Sequence, residues 1–212
     1  MGKYTEKKER LSGEDRKAQI IDCALTLFAR KGFSGTTTKE IANAAGISDT
    51  LIFQYFKTKD DLIRAALSVL FHPHPVSGEL KKFMRQTEDD AAFFRTLASH
   101  FIKHNQQDPR IMRLAIFCSL ERRQFGELTH SDETGPLMLN LVTEYIQRRM
   151  DKGVFIKADA EIVARLFVQT VFMYIADQQA EISGPRIALP DNKVIEILVT
   201  VFLNGLYKIS TE

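Results

Sequence analysis

The sequence predicts an all-α protein: a small N-terminal group of helices, residues 1–70, followed by a larger helical domain, residues 71–212. Three observations carry that prediction. Apolar residues recur at three- and four-residue spacing through almost the whole chain, the period of a helix with one buried face. No long run alternates apolar and polar residues, so strand patterns are nearly missing. Glycine and proline are sparse, 11 and 6 residues, and many stand where the helical pattern breaks.

The first helix is expected from about Asp15 to Arg30, with Ile20, Ile21, Ala24, Leu25 and Phe28 on one face and Gly32 as its stop. A second, short helix starts near Thr37, where Thr37-Thr38-Lys39-Glu40 has the form of a capping box, and ends at Gly46. A third follows Ser48, a good N-cap, and ends near Phe56. A fourth runs from Thr58 or Lys59 to about Phe71, where His-Pro-His-Pro breaks it. Ile41, Ile47, Ile52 and Phe56 have the spacing to close the core against the first helix. Beyond the break, helices are expected near Gly78–Arg85, Asp89–Gln106, Pro109–Arg123, Thr134–Lys152, Asp159–Glu181 and Asp191–Ile209.

Composition removes several function classes. The net charge is only +2, with residues 1–60 carrying 11 Lys and Arg against 8 Asp and Glu, so there is no polycation. The longest uncharged apolar runs, Leu166–Ala176 and Ile197–Tyr207, are short of the roughly 20 residues a membrane span requires. The start, MGKYTEKKER, lacks the apolar core of a signal peptide, so a cytoplasmic protein that does not enter the membrane is expected. Cys23 and Cys118 read as reduced thiols. His100 and His104 are four apart, but His-Phe-Ile-Lys-His lacks the glutamate of a zinc hydrolase, and no G-x-S-x-G, P-loop or G-x-G-x-x-G occurs. No metal, cofactor or enzymatic activity is expected.

The segment from Thr36 to Leu67 is the informative one. Two short helices separated by Ala45-Gly46-Ile47 form a helix-turn-helix, with small Ala42 and Ala45 where the axes cross. Periodicity alone leaves a plain helical hairpin, and with it a protein-binding adaptor, as the alternative. The residues themselves go further. The pattern G-F-x-x-T-T-x-x-x-I-A-x-x-A-G-[VI]-S-x-x-x-[LI]-[FY]-x-Y-F-x-x-K-x-x-L is matched in register by Gly32, Phe33, Thr36, Thr37, Ile41, Ala42, Ala45, Gly46, Ile47, Ser48, Ile52, Phe53, Tyr55, Phe56, Lys59 and Leu62. On these residues the N-terminal quarter resembles the TetR/AcrR family of transcriptional repressors. Members often have Gly where this chain has Thr50, and Tyr where it has Phe53. Both departures lie on the reading helix, so the resemblance carries no operator sequence.

Site residues follow from placement. Thr37 and Thr38 open the second helix, where hydroxyls and free N–H groups suit phosphate. Lys39 projects from its first turn toward a base edge, and the resemblance implies that Tyr55 and Lys59 clamp the backbone. Ser48, Asp49, Thr50, Phe53 and Gln54 belong to the DNA-facing helix: Thr suits a thymine methyl, Gln an adenine, and Asp a cytosine amino group, or else the helix dipole. Lys3, Lys7, Lys8 and Arg10 form either an arm on phosphate or solvated charge.

The resemblance also implies a C-terminal sensor from which a small molecule releases the operator. Candidate pocket residues are Phe94, Phe101, His104, Phe117, Glu121, Tyr145, Met173 and Asp177, each of which an ordinary core would also accommodate. The last two helices are apolar on most sides, so a homodimer is expected, with an interface including Phe167, Val171, Val201, Phe202 and Leu206 and an inverted-repeat DNA operator.

Overall fold

The structure, a computed structural model, describes residues 11–71, 78–121, 135–180 and 184–207. The chain divides into two compact units, Met1–Leu70 and Phe71–Glu212. The described residues form ten helices: α1 (Gly13–Lys31), α2 (Thr38–Ala45), α3 (Asp49–Tyr55), α4 (Lys59–Phe71), α5 (Gly78–Gln86), α6 (Asp90–Gln107), α7 (Arg110–Leu120), α8 (Gly135–Asp151), α9 (Ala160–Ala180) and α10 (Asp191–Asn204). Lys3, Lys7, Lys8, Arg10, the His-Pro-His-Pro break and the segment through Gly126 lie outside the described residues.

In the first unit each helix is started by its own side chains. Ser12 caps α1 two residues earlier than periodicity alone suggests, its Oγ accepting from the Asp15 N–H at 3.1 Å. Thr37 and Glu40 make the reciprocal capping box of α2, at 3.2 and 2.9 Å. Ser48 caps α3, and Thr58 with Asp61 repeats the reciprocal arrangement at the head of α4. Gly46 sits at φ 64°, ψ 37°, the left-handed conformation that ends α2 and turns the chain into α3. Gly35 answers a different need: a Cβ there would stand 2.4 Å from the Lys31 carbonyl oxygen. The core is Ile20, Leu25, Phe28, Phe33, Ile41, Ile52, Phe56, Leu62 and Ile63, with Phe28 and Phe33 rings 5.2 Å apart. Ile47 stays half-buried, because it lies in the turn with its N–H bonded to the Ala42 carbonyl.

The second unit is organised around α6. Helix α10 packs along α6, α9 packs along α8 and also touches α6 and α7, and α5 packs on α8. Phe94 lies at the centre, with Phe167 at 4.7 Å, Phe202 at 5.0 Å and Tyr145 at 5.8 Å between ring centroids. Phe93 stacks flat on Tyr145 at 3.7 Å. Asp191 joins three helices, accepting from Gln106 Nε2 of α6 at 2.5 Å and from the Tyr174 hydroxyl of α9 at 2.8 Å. Arg95 of α6 grips Glu196 of α10 through both carboxylate oxygens.

Periodicity carries the last helix to Ile209, but α10 ends at Asn204. Gly205 follows it at φ −76°, ψ −16°, and beyond that residue the backbone finds other partners. The Leu206 carbonyl accepts from Ile156 N–H at 2.8 Å, and Tyr207 bridges antiparallel to Phe155. That is the one isolated β-bridge among the described residues, and it joins segments distant in sequence.

Candidate nucleic-acid interface

Helix α3 has two sides with different duties. Ile52 and the following Phe56 are buried and hold it against the first unit's core. Asp49, Thr50, Phe53 and Gln54 are exposed, as is Lys57 just past the helix end. Their spacing puts them on one side of the helix. Ser48, also exposed, is occupied as the N-cap. The result is a short helix with an uncommitted outer face, anchored by a buried inner one.

The groups flanking this helix are less free than their positions in the sequence suggest. The Thr37 hydroxyl both accepts from the Glu40 N–H and donates to the Glu40 carboxylate, at 3.0 Å. Glu40 also pairs with Lys31. The bond to Lys31, followed by those from Thr37, holds the Glu40 carboxyl down at about 2. The backbone N–H groups of Thr38 and Lys39 remain at the start of α2, with Lys39 exposed and Thr38 half-buried. Lys59 Nζ donates to the Phe33 carbonyl oxygen, tying the head of α4 to the turn after α1. An ammonium has three donors, so that bond leaves two for a phosphate. Tyr55 is half-buried beside it in sequence order, at the last position of α3.

The pocket candidates separate into two groups. Phe94 and Tyr145 are fully buried in the aromatic core. Phe101, His104, Phe117, Glu121 and Asp177 are half-buried and Met173 is exposed; they lie on α6, α7 and α9, or just past α7, three helices packed against one another. Burial lowers the His100 and His104 imidazole pKa values, and for His104 the neighbouring His100 adds to the effect. No group of three or more His, Cys, Asp or Glu among the described residues could hold a metal ion. Among the described residues, no helix is long and apolar enough to cross a membrane.

A buried polar cluster was not legible beforehand. Asp90, in the first turn of α6, accepts from Tyr145 at 2.6 Å and from Tyr207 at 3.2 Å, and it pairs with Arg149 of α8 at 2.7 Å. Glu88 lies against both Arg149 and Lys152. In the sequence, Asp90 resembles any first-turn acid. Only the packing of α6 on α8 and the C-terminal bridge turns it into a buried carboxylate with partners from two other segments.

A short helix whose buried side is fixed by a preceding helix and tight turn, and whose outer side carries unengaged polar and aromatic groups, defines a helix-turn-helix DNA-binding regulator. The model of bacterial regulatory proteins of the tetR family matches residues 20–66. The HTH-type transcriptional regulator YvkB of Bacillus subtilis strain 168 is 28% identical over 193 residues, covering 89% of this chain and 95% of that one. The whole fold is also shared. FadR from Bacillus subtilis, in complex with stearoyl-CoA, superposes at a TM-score of 0.61 with 17% identity, covering 90% of this chain and 99% of that one. AibR, in complex with isovaleryl coenzyme A and operator DNA, superposes at 0.68 with 16% identity, covering 91% and 100%. Residues 20–66 thus carry the DNA-binding domain of tetR-family regulatory proteins, and the chain is similar over most of its length to a helix-turn-helix transcriptional regulator.

Proposed function

We propose that the protein is a cytoplasmic repressor that binds an inverted-repeat operator as a homodimer and leaves it when a small molecule occupies the second unit. The observation that carries the dimer is a stripe of large apolar side chains in water. On α9 Ile162 and Leu166 are each 57% exposed and Met173 51%; on α10 Val201 is 68% exposed and Ile197 56%. Residues 162, 166 and 173 share one side of α9, and 197 and 201 share one side of α10. A soluble monomer seldom leaves such a stripe uncovered, and a second copy covers it symmetrically while supplying a second reading helix. Phe167, Val171 and Leu206 are buried within the protomer and Phe202 packs against the same core, so of the five residues expected at the interface Val201 is the one that is well exposed.

In this reading Lys39, Asp49, Thr50, Phe53 and Gln54 meet base edges in the major groove, while Tyr55, Lys59 and the opening of α2 hold phosphates. The effector is a molecule with an apolar body, received among the half-buried residues of α6, α7 and α9. Support for an acyl-CoA class comes from the two structural relatives described with such molecules. Fluorescence anisotropy with a duplex from the DNA upstream of the protein's own gene tests the scheme, with stearoyl-CoA and isovaleryl-CoA added as probes. Binding that weakens with one of them is the expected result. Binding unchanged by both would overturn the acyl-CoA class, and a stable monomer in sedimentation at micromolar concentration would overturn the dimer.

A further inference from the structure

Helices α6 and α9 meet along a seam that begins aromatic and ends polar. Phe94 and Phe167 face each other across it, ring centroids 4.7 Å apart. Further along, Gln106 and Tyr174 both bond Asp191, so the two helices run in the same direction. Eleven residues beyond each ring, about three turns, stand Asn105 on α6 and Gln178 on α9, each on the face its ring marks. Ala98, Val171 and Ile175, all buried, lie between. Asn105 is itself only 4% exposed. Its Nδ2 donates to the Phe101 carbonyl at 3.0 Å, but its Oδ1 has no hydrogen-bond partner among the described residues, and neither has the buried Nε2 of Gln178. Buried polar atoms are nearly always paired, because an unpaired one destabilises the fold. Two of them on facing sides of one seam call for a partner from outside the chain. One is an acceptor, the other a donor, and neither side chain is charged. A carboxylate offers acceptors only and an ammonium donors only, and either ion would lose its water in reaching the seam. A secondary amide offers one N–H and one C=O and matches both atoms.

We propose that Asn105 and Gln178 bind a neutral amide of the effector, Asn105 Oδ1 accepting its N–H and Gln178 Nε2 donating to its carbonyl, with the apolar body lying toward Phe94 and Phe167. The inference rests on the acyl-CoA class proposed above. In those thioesters an amide nitrogen stands two carbons from the sulfur, so the protein reads the acyl chain and its first amide, and the nucleotide phosphates are dispensable.

The test titrates the full-length protein calorimetrically with stearoyl-CoA and isovaleryl-CoA and, for each acyl chain, with two small thioesters. The N-acetylcysteamine thioester keeps the first amide and lacks phosphate; the 2-acetoxyethyl thioester replaces the amide N–H with an ester oxygen. Wild-type protein should bind the amide compound of the acyl chain it accepts, and the ester compound about tenfold more weakly, the effect of one hydrogen bond lost at a buried acceptor. Asn105→Leu should bind amide and ester alike, a change of ratio that a purely structural role would not produce. The wild-type comparison stands even if the variant folds poorly. Equal wild-type affinities for amide and ester would overturn the proposal, as would an amide preference that persists undiminished in Asn105→Leu. Binding of a CoA thioester with neither small thioester bound would overturn it while leaving the acyl-CoA class in place. Binding of no acyl-CoA would remove that class and the proposal with it.

Discussion

The Tyr145 hydroxyl donates to Asp90 Oδ1 at 2.6 Å, deep inside the second unit, while the same ring stacks on Phe93. The carboxylate it meets is 5% exposed and balanced by Arg149, itself 8% exposed. Removing Asp90 therefore does more than delete a bond: it leaves a buried guanidinium with only the more distant Glu88 carboxylate, at 3.5 Å. Asp90→Ala should cost about 3–5 kcal/mol, as expected for a buried ion pair broken on one side. Tyr145→Phe keeps the stacked ring and leaves Asp90 its other partners, so it should cost about 1–3 kcal/mol. Urea denaturation of the two variants measures both, and the order of the two costs checks the assignment.

Alkali should weaken the protein through its tyrosines. Burial, then the bond to Asp90, raises the Tyr145 phenol above its usual range; burial and then Asp191 push Tyr174 up to about 12; burial and then Asp90 raise Tyr207. Each native phenol keeps its proton longer than the unfolded chain does. Their contribution is thus complete below the unfolded pKa of about 10 and falls as pH rises through the folded values. Unfolding free energy measured from pH 8 to pH 12 should decline above pH 10. Tyr174→Phe should flatten that decline, and a slope unchanged in the variant would contradict it.

Two substitutions separate interface from core. Val201→Glu places a charge on the exposed stripe and should leave the protomer helical while dissociating the dimer and abolishing tight operator binding. Phe167→Ala removes a ring that is 1% exposed and touches Phe94 and Phe202, and should cost about 3–5 kcal/mol of stability. Sedimentation and circular dichroism together distinguish them. If Val201→Glu sediments as wild type does, the stripe is not the interface.

Lys59 combines two duties. Losing its bond to the Phe33 carbonyl should cost about 0.5–1.5 kcal/mol of stability. Losing its charge at the DNA backbone should weaken binding to all duplexes alike and lower the slope of log affinity against log salt by about 0.9. Thr50→Ala and Gln54→Ala should instead shift preference at particular base pairs, by about 1–3 kcal/mol for a good contact. A Lys59→Ala variant with reduced stability but an unaltered salt slope would confine this residue to a structural role.

The sequence by itself determined the helical class, the order of the helices and the reading unit. Those features are encoded locally. The capping box of Thr37 and Glu40, the Ser48 cap and the left-handed Gly46 each involve residues within a few positions of one another, and helical periodicity marks which side of α3 is buried. What only the tertiary structure decided involves partners far apart in the chain. The apolar residues of α9 and α10 look alike in sequence, yet Phe167 and Val171 face the protomer's core whereas Leu166 and Val201 face water. Composition cannot distinguish the sides of a helix that is apolar most of the way round, because the choice depends on where α6 and α8 lie. The end of α10 and the carboxylate of Asp90 follow the same rule. A bridge to Phe155 takes up the backbone beyond Asn204, and the packing of α6, α8 and the C-terminal segment desolvates Asp90 while bringing Tyr145, Arg149 and Tyr207 to it. Local hydrogen bonds and periodicity are written in adjacent residues; burial and long-range pairing exist only once the helices have met.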